Sequence, residues 1–148
     1  PAMGVPAPGV ASCGTSSVRR MESVMTTKIA KRRVRAAAAQ GHHCYYCGLP
    51  MWHSRPIRFA NRHSLSEAQV RWMRCTAEHL LARCDGGGDN PGNIVAACAF
   101  CNARRHWTPS PLSAEDYRRY VASRMRSGRW LAGILPSAFV ERGRLRRL

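Results

Sequence analysis

The chain has 148 residues and a mass of 16.5 kDa, close to the commonest single-domain size, so we expect one compact domain with peripheral tails. It has 24 Lys and Arg residues and 8 Asp and Glu residues, which give a formal charge of +16. This charge favours a polyanionic partner such as nucleic acid. A protein that associates with a membrane surface or a ribosome would have a similar charge. Because no run of about 18 apolar residues and no secretory leader is seen, we expect neither a membrane-spanning nor a secreted protein. A cytoplasmic protein with reduced thiols is the expectation.

The N-terminal part of the chain divides by composition. Residues 1–23 are rich in Pro, Gly, Ala and Ser without apolar periodicity, which predicts a disordered extension or a remnant of the expression vector. Residues 24–41 are rich in Ala, Lys and Arg and end at a glycine, which predicts a basic helix. Basic residues at three- and four-residue spacings form a stripe that either lies along DNA phosphates or is simply solvated. They are Lys28, Lys31, Arg32 and Arg35.

The core is predicted over residues 42–110. A tight knuckle, CYYCGLP, is followed by an irregular stretch, and Ser66 can cap a short helix that runs to Trp72. Residues 74–82 then predict a strand, because they mix β-branched and apolar residues ahead of the turn cluster CDGGGDNPGN. A second short strand over 93–97 leads into a helix from about Cys98 to Trp107.

The C-terminal part, residues 111–148, is predicted to be a helix and a basic tail. The helix starts after Pro111, ends at Gly128 and turns Tyr117, Val121 and Met125 inward, and the final RGRLRRL is expected to fray. Two strands followed by a helix, with further helices around them, predict a small α+β fold.

Seven cysteines are present, and four of them form two Cys-x-x-Cys pairs, Cys44–Cys47 and Cys98–Cys101. Two such pairs can complete a tetrahedral thiolate site around Zn²⁺, and four protein ligands leave no position for a substrate. We therefore predict a structural zinc rather than four unrelated core thiols. Cys75 and Cys84 are expected to be buried as small apolar groups. His53 and His63 are expected at the surface.

A candidate catalytic set lies between the cysteine pairs. Glu78 and His79 end the first predicted strand, Asn93 follows the glycine-rich loop, and Asn102 comes directly after the last zinc cysteine. Hydrolysis of a phosphodiester needs an activated water, a cation and in-line positioning. A histidine with an unperturbed pKa of roughly 6.5 can act as the base. A carboxylate and an amide oxygen are hard donors that suit Mg²⁺ or Mn²⁺.

Over about residues 44–107 the chain resembles the HNH endonuclease family, through CYYC, AEHLLARCDGGGDNPGNIVAACAFCN and the ARR that follows. The resemblance implies a ββα-metal, treble-clef-like core. It implies that His79 is the general base, that Glu78 and Asn102 hold the catalytic metal, and that Asn93 bridges the loop and orients the imidazole. Glu78 stands where the family more often has Asp, and Asn102 where many members have His, so we expect Mg²⁺ or Mn²⁺ rather than softer ions.

The basic residues around this set are candidates for DNA contact. Arg83 and Arg104 are assigned to phosphate binding. Arg105 either contacts phosphate or the charge of the transition state, or is a solvated helix residue. His106 lies four residues after Asn102, on the same helical face, where it either approaches the metal or, as the favoured alternative, is packed or exposed.

The partner implied by the resemblance is DNA, most simply double-stranded, bound with little sequence specificity. A homodimer or a separate targeting subunit remains open. The alternative from another class is a non-catalytic zinc-binding module that binds nucleic acid through the same basic surface.

Overall fold

Two short antiparallel strands and the helices around them make up the described part of the protein, residues 19–145 of a computed structural model in which side chains are placed for residues 28–142. The strands are β1 (Cys75–His79) and β2 (Ile94–Cys98), with Cys75 opposite Cys98 and His79 opposite Ile94. The helices within this range are α1 (Arg19–Ala39), α2 (Pro56–His63), α3 (Glu67–Trp72), α4 (Ala99–Arg105), α5 (Ala114–Arg126) and α6 (Ser137–Leu145). The domain is a small α+β fold, as expected.

The helices differ from expectation in three places. The stretch after the knuckle was expected to be irregular, but α2 forms there behind Pro56, which occupies the first turn. The basic tail was expected to fray, but α6 continues to Leu145 because Phe139 and Val140 are buried in the core. In addition, α1 begins at Arg19, inside the segment assigned to the extension. The rest of that extension, residues 1–18, and the end of the tail lie outside the described residues.

Gln40 fixes the end of α1 on the sheet. Its Nε2 donates to the carbonyl of Ala96 at 2.8 Å, and its Oε1 accepts from the Ala96 amide at 2.9 Å, so the side chain pairs with β2 as another strand would. Within α1, Ala37 is buried, whereas Lys28, Lys31 and Arg35 are exposed. The end of α1 is therefore fixed to the sheet, and part of its basic stripe is exposed to solvent.

The predicted buried face of α5 is confirmed, since Tyr117, Val121 and Met125 are all buried. Ser113 caps the helix by accepting from the Asp116 amide at 3.1 Å. The hydroxyl of Tyr117 donates to the carbonyl of Cys101 at 2.9 Å, so α5 holds the second cysteine pair from behind.

One apolar core runs from the cysteine cluster to α6, and the burial expected of two residues, His63 and Cys84, was wrong. His63 is half-buried, with its ring 4.5 Å from that of Phe59 and 5.2 Å from that of Phe139, so it is not a surface histidine. Cys75 is buried as expected, but Cys84 is exposed, because the turn at Arg83–Asp85 lies outside the core. Within residues 19–145 no helix has the length and apolar composition needed to cross a bilayer.

Candidate metal centre and active site

The four cysteines of the two pairs meet in one buried cluster. The Sγ atoms of Cys44, Cys47, Cys98 and Cys101 all lie within 4.8 Å of one another, and those of Cys47 and Cys98 are 3.9 Å apart. Zinc–sulfur bonds of about 2.3 Å in a tetrahedron place the sulfur atoms roughly 3.8 Å apart, so the cluster has the size of a zinc site. It could hold a structural metal ion such as zinc.

Local backbone geometry brings the sulfur atoms together. In the first pair, the amide of Gly48 donates to the Cys44 carbonyl at 2.9 Å, and the φ of +72° at this residue closes the knuckle. In the second pair, Cys98 is the N-cap of α4 and its Sγ accepts from the Cys101 amide. The amide of Cys98 donates to the Sγ of Cys44 at 3.3 Å, which joins the two pairs.

The thiols affect one another's ionisation. Burial raises the pKa of the Cys98 and Cys101 thiols well above the ordinary value. At Cys44 burial acts in the same direction, but hydrogen bonds from the other three thiols outweigh it, and the pKa falls well below the ordinary value. The cluster therefore favours a thiolate at Cys44 and disfavours thiolates at Cys98 and Cys101, which a bound divalent cation would stabilise.

Glu78, on β1, is a buried carboxylate with only 2% of its surface exposed. The hydroxyl of Tyr46 donates to its Oε1 at 3.0 Å, and Nη1 of Arg105 forms an ion pair with the same oxygen. Nε2 of His106 lies 3.2 Å from both carboxylate oxygens. Since buried charges must be compensated, these contacts explain how Glu78 can be enclosed.

The Arg105 side chain lies in neither of the environments expected from the sequence. It was expected to contact phosphate or to be solvated, but it is 5% exposed and its hydrogen bonds point inward. Besides Glu78, it donates to the carbonyls of His79, Leu80 and Leu112 at 2.9–3.3 Å. Arg105 is therefore the buried counter-ion of Glu78 and ties the end of β1 to α4.

Asn102 has a fixed amide orientation. Its Nδ2 donates to the carbonyl of Ala77 at 3.1 Å and to Oγ1 of Thr76 at 2.9 Å, and that hydroxyl donates onward to the Ala97 carbonyl. Both partners must accept, so the nitrogen must face β1. The carbonyl oxygen Oδ1 therefore points away from these partners and forms no hydrogen bond within the described residues.

His106 is exposed, as the favoured alternative expected, but it also contacts Glu78. Its side chain is 39% exposed, and its ring nitrogen faces the Glu78 carboxylate. Glu78 and His106 thus place a carboxylate and an imidazole in contact, and Asn102 lies one turn before His106 on the same face of α4. The four-residue spacing of Asn102 and His106 was the sequence signal for this arrangement.

His79 leaves β1 on the opposite side from Glu78, because successive side chains of a strand alternate. Its Nε2 lies 2.7 Å from Oδ1 of Asp89, and Arg83 binds both oxygens of the same carboxylate at 2.8 and 3.0 Å. The hydrogen bond from His79 lowers the pKa of Asp89 against the effect of burial, and Arg83 adds to the lowering. Asp89 is therefore ionised at neutral pH and accepts a hydrogen bond from the N–H group at Nε2.

This assignment decides which nitrogen of His79 can act as a base. Arg83 Nε also lies 3.3 Å from Nε2, but the shorter, charge-assisted contact with Asp89 is the stronger one. A neutral imidazole with its proton on Nε2 has its lone pair on Nδ1. Nδ1 of His79 makes no hydrogen bond within residues 28–142. The arrangement holds an oriented imidazole with one basic nitrogen free.

Asn93 bridges the loop as expected, but it does not contact the imidazole. Its Nδ2 donates to the carbonyls of Leu81 and Gly88, and its Oδ1 accepts from the Leu81 amide at 2.8 Å. The role expected of Asn93, orienting His79 by a hydrogen bond, belongs to Asp89. Sequence reasoning missed Asp89 because its position in a turn cluster gave no sign of its direction.

Gly87 sets the path of the loop that carries Asp89. A Cβ atom at this position would lie 1.9 Å from the carbonyl oxygen of Leu81, a backbone atom that cannot move aside. Only glycine permits this approach, which brings the loop back over the end of β1.

The other residues expected to bind DNA lie at or near the surface. Arg83 has 48% of its side chain exposed while bound to Asp89, and Arg104 is exposed with its guanidinium 4.6 Å above the Trp107 ring. In α1, Arg32 is half-buried, and the remaining three members of the predicted stripe are exposed.

Comparisons of the chain with protein-family models, with curated proteins and with solved structures found no match. A function for this chain must therefore be inferred from the chemistry of its own residues.

Proposed function

We propose that this protein is a metal-dependent DNA endonuclease of the HNH type, built on a ββα-metal core formed by β1, β2 and α4. One observation carries the proposal: the last two residues of β1 are a carboxylate that contacts the His106 imidazole and an imidazole that Asp89 orients. Glu78, with Asn102 and His106, lies on the side of α4, and His79 lies on the side of the loop. A phosphodiester across the end of this strand would reach both groups.

The donor set fits a divalent cation. Oε1 of Glu78 is occupied by Tyr46 and Arg105, but among the described contacts Oε2 meets only His106. Oε2, Oδ1 of Asn102 and Nε2 of His106 would hold Mg²⁺ or Mn²⁺. When bound, such an ion stabilises the charge on the phosphate and on the leaving 3′ oxygen. His106 adds an imidazole nitrogen to this donor set. Because imidazole also suits Ni²⁺, that ion is included among the metals to be tested.

The residues of the chain supply the remaining chemistry. Nδ1 of His79 takes a proton from the attacking water, and the ionised Asp89 stabilises the imidazolium that forms. Arg83 keeps Asp89 in place and has exposed donors for the substrate phosphate. The proposed zinc in the cysteine cluster holds the knuckle against α4 and takes no part in hydrolysis. The basic stripe of α1 (Lys28, Lys31, Arg32 and Arg35) and Arg104 would bind the DNA backbone, with strong salt dependence.

A non-catalytic nucleic-acid-binding module is the second candidate, and one observation favours it. Arg105 and Tyr46 already compensate the buried Glu78 carboxylate, so the fold does not require a metal there. The exposed basic residues would then bind DNA without cutting it.

The deciding experiment is cleavage of supercoiled plasmid by the full chain with Mg²⁺, Mn²⁺ or Ni²⁺. Wild type is compared with His79→Ala and with His53→Ala, which removes an exposed histidine away from the site. Metal-dependent nicking or linearisation that His53→Ala retains and His79→Ala loses supports the nuclease. Zinc-loaded wild type that shifts DNA but cuts none with any of these metals overturns the proposal in favour of the binding module.

A further inference from the structure

A groove lies along the face of α4 next to the one that carries the site. Phe100, Ala103 and Arg104 recur at three- and four-residue spacing and line the groove, and Trp107 follows just after the helix. The groove encloses about 390 Å³ and continues onto α5 and the segment after it. Its volume is within the usual range for small-ligand sites, roughly 300–1,000 Å³.

Aromatic rings form the walls of this groove. Trp72 packs edge-on against Phe100 with ring centres 5.6 Å apart, and Trp130 meets Phe100 and Tyr120 at 5.4 and 5.9 Å. Trp107 is 74% exposed, and Trp72 and Tyr120 are 41% and 44% exposed. Large apolar surfaces left open together in this way mark an interaction site.

The charge of the groove is entirely positive. Arg104, Arg124 and Arg129 line it, and no acidic residue does. The guanidinium of Arg104 already stacks on Trp107, which shows how a flat group can be held there. An apolar partner would leave three arginines desolvated without a counter-charge, so the occupant should carry both flat rings and anionic groups.

Two hydrogen-bond donors on groove-lining side chains lack acceptors. Nε1 of Trp130 and Nε of Arg124 are buried and have no hydrogen-bond partner within the described residues. Trp130 is 4% exposed, and a buried donor without a partner is unfavourable. A ligand with acceptor oxygens that enters the groove, with a small shift of these side chains, would provide the missing partners.

We propose that this groove binds unpaired nucleotides of single-stranded DNA, with a base stacked on Trp107, Trp72 or Tyr120 and a phosphate paired with Arg124 or Arg129. Aromatic platforms interleaved with arginines are the usual means of binding single strands without sequence preference, because every base has a stacking face. A duplex conceals those faces, so it cannot occupy the groove in the same way. The inference goes beyond the proposed function, since binding here requires no cleavage.

The test measures binding alone, with the zinc-loaded full chain in buffer without added Mg²⁺ or Mn²⁺. Fluorescence anisotropy follows a labelled eight-nucleotide thymidine strand and, separately, a labelled mixed-sequence duplex long enough to stay paired under the assay conditions. Trp107→Ala removes the most exposed ring, and Arg129→Gln removes an exposed groove charge. Arg58→Gln is the matched control, since Arg58 is also exposed but lies outside this groove.

We expect Trp107→Ala to weaken single-strand binding about tenfold or more, as loss of a stacked base does, and to leave duplex binding unchanged. Arg129→Gln should weaken single-strand binding more than Arg58→Gln does. Three results would each overturn the proposal. Trp107→Ala could weaken binding of the strand and the duplex equally, or Arg129→Gln and Arg58→Gln could weaken strand binding equally. Thymidine monophosphate could also compete for the groove as strongly as the strand does. Since no step depends on cutting, a failure here is distinguishable from a failure of the nuclease proposal.

Discussion

Nε2 of His79 lies 2.7 Å from Oδ1 of Asp89, so the imidazole at the end of β1 is held by a carboxylate from the glycine-rich loop. The contact links two regions that the sequence separates by ten residues. It assigns the proton to Nε2 and leaves Nδ1 as the basic nitrogen. If His79 activates water, Asp89 is therefore the residue that positions it.

Replacing Asp89 with Asn should lower the single-turnover rate of DNA cleavage by about 10- to 100-fold, as removal of an outer partner of a catalytic group does. The amide lacks the charge that stabilises the imidazolium. Zinc content and thermal stability should stay close to those of wild type. Asp85→Asn is the matched control, because Asp85 is an exposed carboxylate in the same loop. Equal rates for the two variants would remove Asp89 from this role.

Gly87→Ala should displace the loop and lower cleavage, since the added Cβ would clash with the Leu81 carbonyl. Gly88→Ala is the control: its Cβ would meet nothing closer than 3.6 Å, so activity should be retained. Comparing cleavage rates and melting temperatures of the two variants tests whether the loop path matters. Full activity of Gly87→Ala would show that Asp89 is positioned without this close approach.

Some of these features could be read from the sequence and others could not. Paired cysteine spacing predicted the buried cluster, and the glycine-rich turn between apolar runs predicted the two strands. The role of Arg105 could not be predicted, because an arginine on a short helix gives no sign whether it faces solvent or a buried carboxylate. Helix α2 was missed because it is only eight residues long and buries none of them fully, so its apolar face is too brief a pattern to identify a helix from the sequence.

Arg105→Ala should destabilise the domain by about 3–5 kcal/mol, the usual effect of breaking a buried ion pair and leaving one charge uncompensated. Arg104→Ala makes the same substitution one residue earlier in α4, where the side chain is exposed, and should change stability by less than about 1 kcal/mol. Urea unfolding of both variants measures the difference. Similar losses would mean that Glu78 does not depend on Arg105.

Cys98→Ser should abolish metal retention and prevent stable folding, because the free energy of binding a structural zinc is also folding free energy. Cys75→Ser is the control, since Cys75 is equally buried but lies outside the four-cysteine cluster. It should retain zinc and lose only about 1–3 kcal/mol, the effect of burying a hydroxyl group. Elemental analysis and thermal unfolding report the two quantities. A Cys98→Ser protein with wild-type zinc content and melting temperature would contradict a structural zinc.

His63 gives a pH dependence of stability whose direction follows from its surroundings. Burial lowers its pKa, and the nearby Arg142 and Arg62 lower it further. The unfolded chain, in which histidine titrates at roughly 6.5, therefore binds more protons than the folded protein just below that pH. The free energy of unfolding therefore has its full value above the pKa of His63 in the unfolded chain. It falls as the pH drops through that pKa towards the lower pKa of His63 in the folded protein.

His63→Phe keeps a ring between Phe59 and Phe139 and removes the titrating group, along with the Nδ1 atom that is buried without a partner among the described residues. We expect wild type to lose more thermal stability than His63→Phe between about pH 7.5 and about pH 5.5. Loss of thiolate metal ligands at low pH is common to both proteins and cancels in the comparison. His53→Phe, at an exposed histidine, should follow wild type. Parallel curves for wild type and His63→Phe would show that His63 titrates alike in the folded and unfolded chain.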